Sequence, residues 1–264
     1  MIGSPVRHSL SPVLHNAAFA AAGLDWVYVA HEVMPGSGAA AVMAMRTLGI
    51  GGLSVTMPHK QDVAKAVDRP SASVQALGAC NCVYWSDGEL VGDNTDGDGY
   101  VNSFAIATGS SVAGRTVSVL GAGGAATAII EALGRAGAAE IHVWARRSES
   151  AQAAASVSAV ASVGPIDQVE ASSLIINATP VGMRKGPNPQ GIPLPADLIR
   201  KDHIVHDIVY EPRKTPLMLA AGQRGATVIG GVGMLVHQAA QQFTHWTGEP
   251  APLDVMSQAI TRRK

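Results

Sequence analysis

Residues 117–126 read Val-Ser-Val-Leu-Gly-Ala-Gly-Gly-Ala-Ala, and this stretch restricts the fold more than any other. Val117, Val119 and Leu120 form a short apolar run with a β-branched bias, the pattern of a strand buried on both faces. Gly121, Gly123 and Ala126 then fit G-x-G-x-x-G/A, and residues 127–133 continue as a helix. Gly121 permits the tight turn from strand to helix, Gly123 lets backbone approach a pyrophosphate, and Ala126 lets the helix pack closely on the strand. The start of that helix offers N–H groups and a positive dipole end to phosphate. Glycine makes up 29 of 264 residues, so the pattern alone carries little weight. Its context carries more: the helix ends near Gly137, and Glu140–Trp144 supplies a second strand at the right distance. A dinucleotide site is expected, in preference to a glycine-rich turn with no ligand.

The end of that second strand selects the cofactor. A site for NAD places Asp or Glu there to accept hydrogen bonds from the ribose 2′-hydroxyl. This chain has Ala145-Arg146-Arg147-Ser148 and no acid. A carboxylate would repel a 2′-phosphate, whereas a guanidinium binds it through two parallel N–H bonds and stacks on adenine. NADP(H) is therefore expected over NAD, the alternative being two solvated arginines after a strand.

Length and charge narrow the class further. A chain of 264 residues holds one large domain or two modest ones. Hydrophobic residues are 47% and charged ones 15%, as in an α/β enzyme with buried strands. A net charge of −1 gives no reason to invoke nucleic acid or an anionic membrane. Glycines and charges interrupt every apolar run before it reaches the length of a membrane span, and no basic start precedes an apolar block as in a secretory signal. Cys80 and Cys82 are the only cysteines. Their spacing suits neither an ordinary disulfide nor a four-ligand zinc site, and no metal is expected. A reducing, cytoplasmic setting is expected.

Along the chain, Met1–Pro5 reads as the tail of a strand, so the first strand is expected to be barely present, from a late-assigned start or a trimmed N-terminus. Ser11 before Pro12 reads as a helix start, with Ser11 as cap, and Gly23 closes that helix. Ser9 and Ser11 then stand at a helix N-terminus that could bind a small carboxylate without a basic residue; Ser11 as a cap alone is the equal alternative. Residues 26–31 alternate as a strand, 38–48 as a helix, 51–57 as a strand, and 61–67 and 71–77 as helices. Residues 78–85 and 89–92 straddle Ser86-Asp-Gly88 as a hairpin. Beyond the second Rossmann strand, 148–163 reads as an Ala/Ser-rich helix, 174–180 as a strand, and the proline-rich 185–195 as a loop. A strand at 203–210, a helix at 215–222, a strand at 226–229, and helices at 234–246 and 253–261 complete the reading.

Two polar residues suggest chemistry. Lys60 follows a strand and a Thr-Met-Pro turn, and Asp96 lies in Asn94-Thr95-Asp96-Gly97. Hydride reduction of a ketone leaves an alkoxide that needs a proton, which a positioned ammonium supplies at a gain of about 10² to 10⁴ in rate. A carboxylate beside it would orient the lysine and bond substrate hydroxyls. Taken alone, a surface lysine and a turn aspartate explain the same residues. His203 and His206 fall on opposite faces of a strand and read as structural, and His59 reads as lining the site at most.

The set His8–Pro12, Ser54–Lys60, Gly78–Asn81, Asp93–Gly97, Gly121–Ala126, Asn177–Met183, Asp207–Tyr210 and Gly231–Gln238 resembles the shikimate dehydrogenases, in order and over nearly the whole chain. The resemblance implies an α/β fold with an N-terminal substrate domain, 1–99, completed by C-terminal helices in 237–264. A Rossmann-type NADP-binding domain, 100–236, would lie between. It implies NADPH-dependent reduction of 3-dehydroshikimate to shikimate, in a cleft between the two domains, by a monomer or homodimer. Carried over by residue, Lys60 is the acid/base and Asp96 its partner. Ser9 and Ser11 bind the substrate carboxylate, and Thr56, Asn81, Tyr210 and Gln238 also contact substrate. Gly121, Ala122, Gly123, Gly124, Ala125, Arg146, Ile208 and Gly231 contact cofactor. Three departures stand out: Ser54 replaces a common Asn, which implies rearranged hydrogen bonds to the ring; Ala145 replaces the Asn before Arg146; and the front of the first strand is missing, which is expected to bear on stability and not on the named groups. A quinate or amino-shikimate dehydrogenase of the same family, and a non-catalytic NADP-binding sensor, are the alternatives.

Overall fold

A computed structural model of the chain describes residues 1–261; positions 262–264 of the expected return segment lie outside the described residues. The chain divides into two units, Met1–Asp96 with the chain from Val236 onward, and Gly97–Leu235. The changeovers fall at Asp96 and Leu235, where the sequence suggested 99 and 236.

The first unit runs β1 (Ile2–Gly3), α1 (Ser11–Ala21), β2 (His31–Glu32), α2 (Gly38–Leu48), β3 (Gly52–Ser54), α3 (Lys60–Ala64), β4 (Arg69–Pro70), α4 (Ala72–Leu77), β5 (Cys82–Ser86) and β6 (Glu89–Asp93). One sheet has the order β3-β5-β6-β4, its β5–β6 pair forming the expected hairpin. β1 pairs parallel with β2, and Ile2 bridges Val55 just beyond β3. The core gathers Ile2, Val42, Met45, Leu53, Val55, Val63, Val83 and Leu90. Cys80 and Cys82 are wholly buried; burial pushes the Cys80 thiol up to about 12 and Cys82 upward as well.

Two local readings are corrected here. The strand expected over 26–31 is reduced to His31–Glu32. Its parallel neighbour β1 offers two residues, so only two positions find ladder partners. The Asn16 side chain instead bonds the Tyr28 backbone, accepting from its N–H at 2.7 Å and donating to its carbonyl at 2.9 Å. Ser11 is not a cap: the helix begins at Ser11 itself, after Leu10, with no side-chain cap bond. Ser9 takes the bonding role, its Oγ accepting from the Ser11 N–H at 3.2 Å.

The second unit begins inside α5 (Asp96–Thr108), at Gly97, and continues with β7 (Thr116–Leu120), α6 (Gly124–Arg135), β8 (Glu140–Trp144), α7 (Ser148–Ala155), β9 (Ala161–Val163), β10 (Leu174–Asn177), β11 (Ile204–Asp207), α8 (Pro216–Gln223) and β12 (Thr227–Gly230). Its six strands are all parallel, in the order β9-β8-β7-β10-β11-β12. This is a doubly wound sheet whose winding reverses between β7 and β10, the place where such folds bind ligands. Side chains alternate between two buried layers. Val117, Val119, Leu174 and Ile176 face one with α6, while Leu120, Ile175 and Val205 face the other with α8. That double burial explains why these strands read as apolar runs. The helix expected over 148–163 stops at Ala155, and its tail forms the edge strand β9.

The chain then enters α9 (Val232–Thr247) and α10 (Leu253–Thr261), which from Val236 belong to the first unit, where α10 packs on α1. Among the described residues no helix is long and apolar enough to cross a membrane. No group of three His, Cys, Asp or Glu is placed to hold a metal among them.

Candidate active site and dinucleotide turn

Three separate stretches of the first unit bring Lys60, Asn81 and Asp96 together. Lys60 opens α3, Asp96 opens α5, and Asn81 directly precedes β5. Lys60 Nζ pairs with Asp96 Oδ2, the two side chains being 21% and 12% exposed. Asn81 Nδ2 donates to the other carboxylate oxygen, Oδ1, at 2.8 Å and to Thr95 Oγ1 at 3.1 Å. The Thr95 N–H donates back to Asn81 Oδ1 at 2.9 Å. The Asp96 carboxylate therefore has a partner on each oxygen, at the first residue of a helix whose dipole favours negative charge. So held, it sets the direction of the Lys60 side chain, as a positioned proton donor requires.

Asp93, three residues earlier, fixes the segment. Burial pushes its carboxyl up, but bonds from His245, Ser71, Ser73 and the Asn94 N–H outweigh that and hold it well below the usual carboxylate range. The Asn94 side chain then accepts from the Asp96 N–H at 3.2 Å.

A row of hydrogen bonds leads from this cluster to Ser11, the first residue of α1, and to Ser9 just before it. Tyr28 donates to Ser54 Oγ at 2.5 Å, and Ser54 donates to Gln242 Oε1 at 2.5 Å. Gln242 Nε2 donates to Gln238 Oε1 at 3.0 Å and lies 3.3 Å from Thr95 Oγ1 and 3.4 Å from the Asn81 carbonyl. At the other end Tyr28 bonds the Ser11 side chain, and Ser9 donates to Ser11 Oγ at 3.2 Å. Burial pushes the Tyr28 phenol well above its ordinary range, so it remains a donor.

The first unit thus joins six of the expected residues, Ser9, Ser11, Lys60, Asn81, Asp96 and Gln238, into one polar cluster. Thr56 lies just after β3, half-buried, its N–H donating to the Ile2 carbonyl at 3.0 Å. Sequence reasoning missed Tyr28, Thr95 and Gln242. Gln242 had a signal, standing four residues after Gln238 on the same face of α9; Tyr28 had none to separate it from packing. His59 is fully buried with Nε2 3.1 Å from the Val33 carbonyl, which makes it part of the scaffold.

The remaining expected residues belong to the second unit. Gly121 has φ 124°, and a Cβ there would lie 2.7 Å from the Ala178 carbonyl, so only glycine fits. Gly123 and Gly124 are exposed, with open space where a Cβ would stand, and the N-cap Gly123 makes no side-chain cap bond. Ala122 and Ala125 flank them half-buried, while Ala126 is fully buried against the sheet. The turn thus presents bare backbone and an uncapped helix start, which fits a pyrophosphate. Arg146 follows β8, exposed, and forms no ion pair among the described residues.

At the ends of β10 and β11, buried Asp207 accepts from Thr215 Oγ1 at 2.6 Å, Asn177 Nδ2 at 2.9 Å and the Val209 N–H at 3.1 Å. Burial raises its carboxyl, and these bonds oppose the rise. The network fixes Ile208, whose carbonyl packs so closely on Gly231 that no Cβ fits there. Tyr210 follows, half-buried, its phenol raised by burial and then by Glu211.

Comparison with known proteins gives a consistent picture. The family model for the shikimate dehydrogenase substrate binding domain matches residues 1–83, and that for the shikimate 5'-dehydrogenase C-terminal domain matches 231–261. The chain is 42% identical to the shikimate dehydrogenase (NADP(+)) of Methanopyrus kandleri, covering 98% of this chain and 93% of that one. It is 40% identical to the Moorella thermoacetica protein of the same name, covering 98% and 91%. The crystal structure of Thermus thermophilus shikimate 5-dehydrogenase in complex with NADP(H) and shikimate superposes with a TM-score of 0.91 at 33% identity, covering 99% of this chain and 97% of that one.

Proposed function

The chain belongs to the shikimate dehydrogenase family, and from that premise we propose that it reduces 3-dehydroshikimate to shikimate with NADPH, reversibly, in the shikimate pathway of aromatic amino-acid biosynthesis. Bound NADPH supplies the hydride that becomes the new C–H bond. Lys60 gives its proton to the former ketone oxygen and takes it back in the reverse direction. Asp96 orients that lysine and, with Asn81, bonds the ring hydroxyls, and Asn81 also keeps the carboxylate in place. Ser9 and Ser11 bind the substrate carboxylate through hydroxyls at the start of α1, and Thr56, Tyr210 and Gln238 make the remaining substrate contacts.

On the cofactor side, Gly121–Ala125 would receive the pyrophosphate and Arg146 the 2′-phosphate, and Ile208 and Gly231 would supply further cofactor contacts. The enzyme acts in the cytoplasm as a monomer or homodimer, on a small molecule, without nucleic acid or membrane.

The observation that carries this reading is the Lys60–Asp96–Asn81 cluster, assembled from three chain segments with both carboxylate oxygens engaged. Absorbance at the NADPH band tests it, with shikimate and NADP⁺ supplied together. NADPH should accumulate, more slowly or not at all when quinate replaces shikimate. No NADPH from shikimate would overturn the assignment, and faster formation from quinate would reassign the substrate.

A further inference from the structure

Gln242 has no role in the reaction as described, yet the polar cluster of the first unit converges on it. It is 2% exposed and lies one helical turn beyond Gln238 on α9. Chemistry fixes which way its amide points. The Asn81 backbone carbonyl, 3.4 Å from Nε2, can only accept, so the NH₂ faces Asn81 and Oε1 faces Ser54. Ser54 must then donate to Gln242, and Tyr28 must donate to Ser54. On the far side Nε2 donates to Gln238 Oε1 at 3.0 Å, which leaves the Gln238 NH₂ as the donor of that side chain. The row Tyr28→Ser54→Gln242→Gln238 runs in one direction, from beside Ser11 to the residue that the proposed function assigns to substrate.

We propose that Gln242 is a positioning residue for the cyclic hydroxy-acid substrate. It sets the Gln238 amide as a donor and holds Thr95 and Asn81 in register behind the Lys60–Asp96 pair. The inference rests on the function proposed above. Among the described residues the Ser54 hydroxyl hydrogen-bonds Tyr28 and Gln242, and not Asn81, Thr95 or Gln238. Ser54 and Gln242 thus act as one device, a short hydroxyl on β3 and a long amide on α9. Exchanging the lengths, with Ser54→Asn beside Gln242→Ala, moves the amide from helix to strand and should preserve its service to the cluster.

Steady-state shikimate oxidation tests this. Gln242→Met keeps the volume and removes the donor. It should raise the shikimate KM about tenfold, with kcat within about threefold, as loss of one or two buried hydrogen bonds implies. The NADP⁺ KM should not move. The double variant Ser54→Asn/Gln242→Ala should recover most of the lost affinity. An active wild type with an unchanged shikimate KM in Gln242→Met overturns the inference alone. So does a fall in kcat and in affinity for both substrates together with a lowered Tm, the signature of a packing role. A wild type inert toward shikimate overturns the functional reading and this inference with it. Should Gln242→Met fail to fold, the double variant decides: a shikimate KM within about threefold of wild type supports the inference, and a rise of about tenfold or more overturns it.

Discussion

Asn81 Nδ2 reaches Asp96 Oδ1 at 2.8 Å while Lys60 pairs with Oδ2, so a neutral amide and an ammonium share one carboxylate, one on each oxygen. The arrangement lets Asp96 orient the lysine without being free to rotate. Lys60→Ala should lower kcat by about 10² to 10⁴, the usual worth of a positioned proton donor, and leave NADPH affinity unchanged. Stopped-flow turnover with a parallel fluorescence titration of NADPH checks both, and unchanged turnover would remove Lys60 from the proton-transfer step.

Under the proposed function, Arg146 is the residue that separates the two nicotinamide cofactors. The exposed guanidinium after β8 has no carboxylate partner among the described residues, leaving it available to a 2′-phosphate. Arg146→Ala should weaken NADPH by about tenfold or more, the worth of a charge-assisted hydrogen bond, and change NADH little. Equal losses for both cofactors, measured by titration, would place the 2′-phosphate elsewhere.

Gly231 offers a steric test. Its Cα faces the Ile208 carbonyl with no space for a methyl group. Gly231→Ala must displace backbone rather than a flexible side chain. The expected result is a lower Tm and weaker NADPH binding, with the first unit's serine and lysine cluster untouched. A variant with wild-type Tm and NADPH affinity would show that the two backbones are not held together.

Two buried histidines make stability depend on pH in the acid range. Burial lowers His15, stacked on Tyr28 at 4.5 Å, to about 3, and lowers His206, 4.8 Å from Tyr100, to about 3. Their ordinary value is 6.5, so between about pH 6.5 and 3 the unfolded chain binds more protons than the folded one. The contribution of these two residues is therefore full above about pH 6.5 and falls as pH drops through that window, by roughly a few kcal/mol for each histidine. His15→Phe keeps the aromatic stack and removes the titration, so its urea midpoint should fall less between pH 6.5 and 4 than that of the wild type. An identical pH slope would exclude His15 as a contributor.

Periodicity exposed the second unit more fully than the first. Its strands are buried on both faces and its turn needs glycine at a defined place, so β7, α6 and β8 could be read directly from residues 116–144. The first unit mixes parallel and antiparallel pairs of two to five residues, and so short a strand leaves little pattern. The segment 26–31 alternates convincingly, yet pairing depends on what lies beside it, and β1 supplies only two residues. The clustering of Lys60, Asn81 and Asp96 was legible through resemblance, since their separation in sequence carries no distance information. Gln242 and Tyr28 escaped because their importance lies in which partner each side chain meets. Ser54 marked the spot, and only its 2.5 Å bond to Gln242 revealed what answers the change.

Both cysteines of this protein lie in one unit and neither is accessible. A thiol-specific dye therefore finds nothing to react with until the fold around β5 opens. The rate of labelling then becomes an internal clock for that unit, native to the sequence.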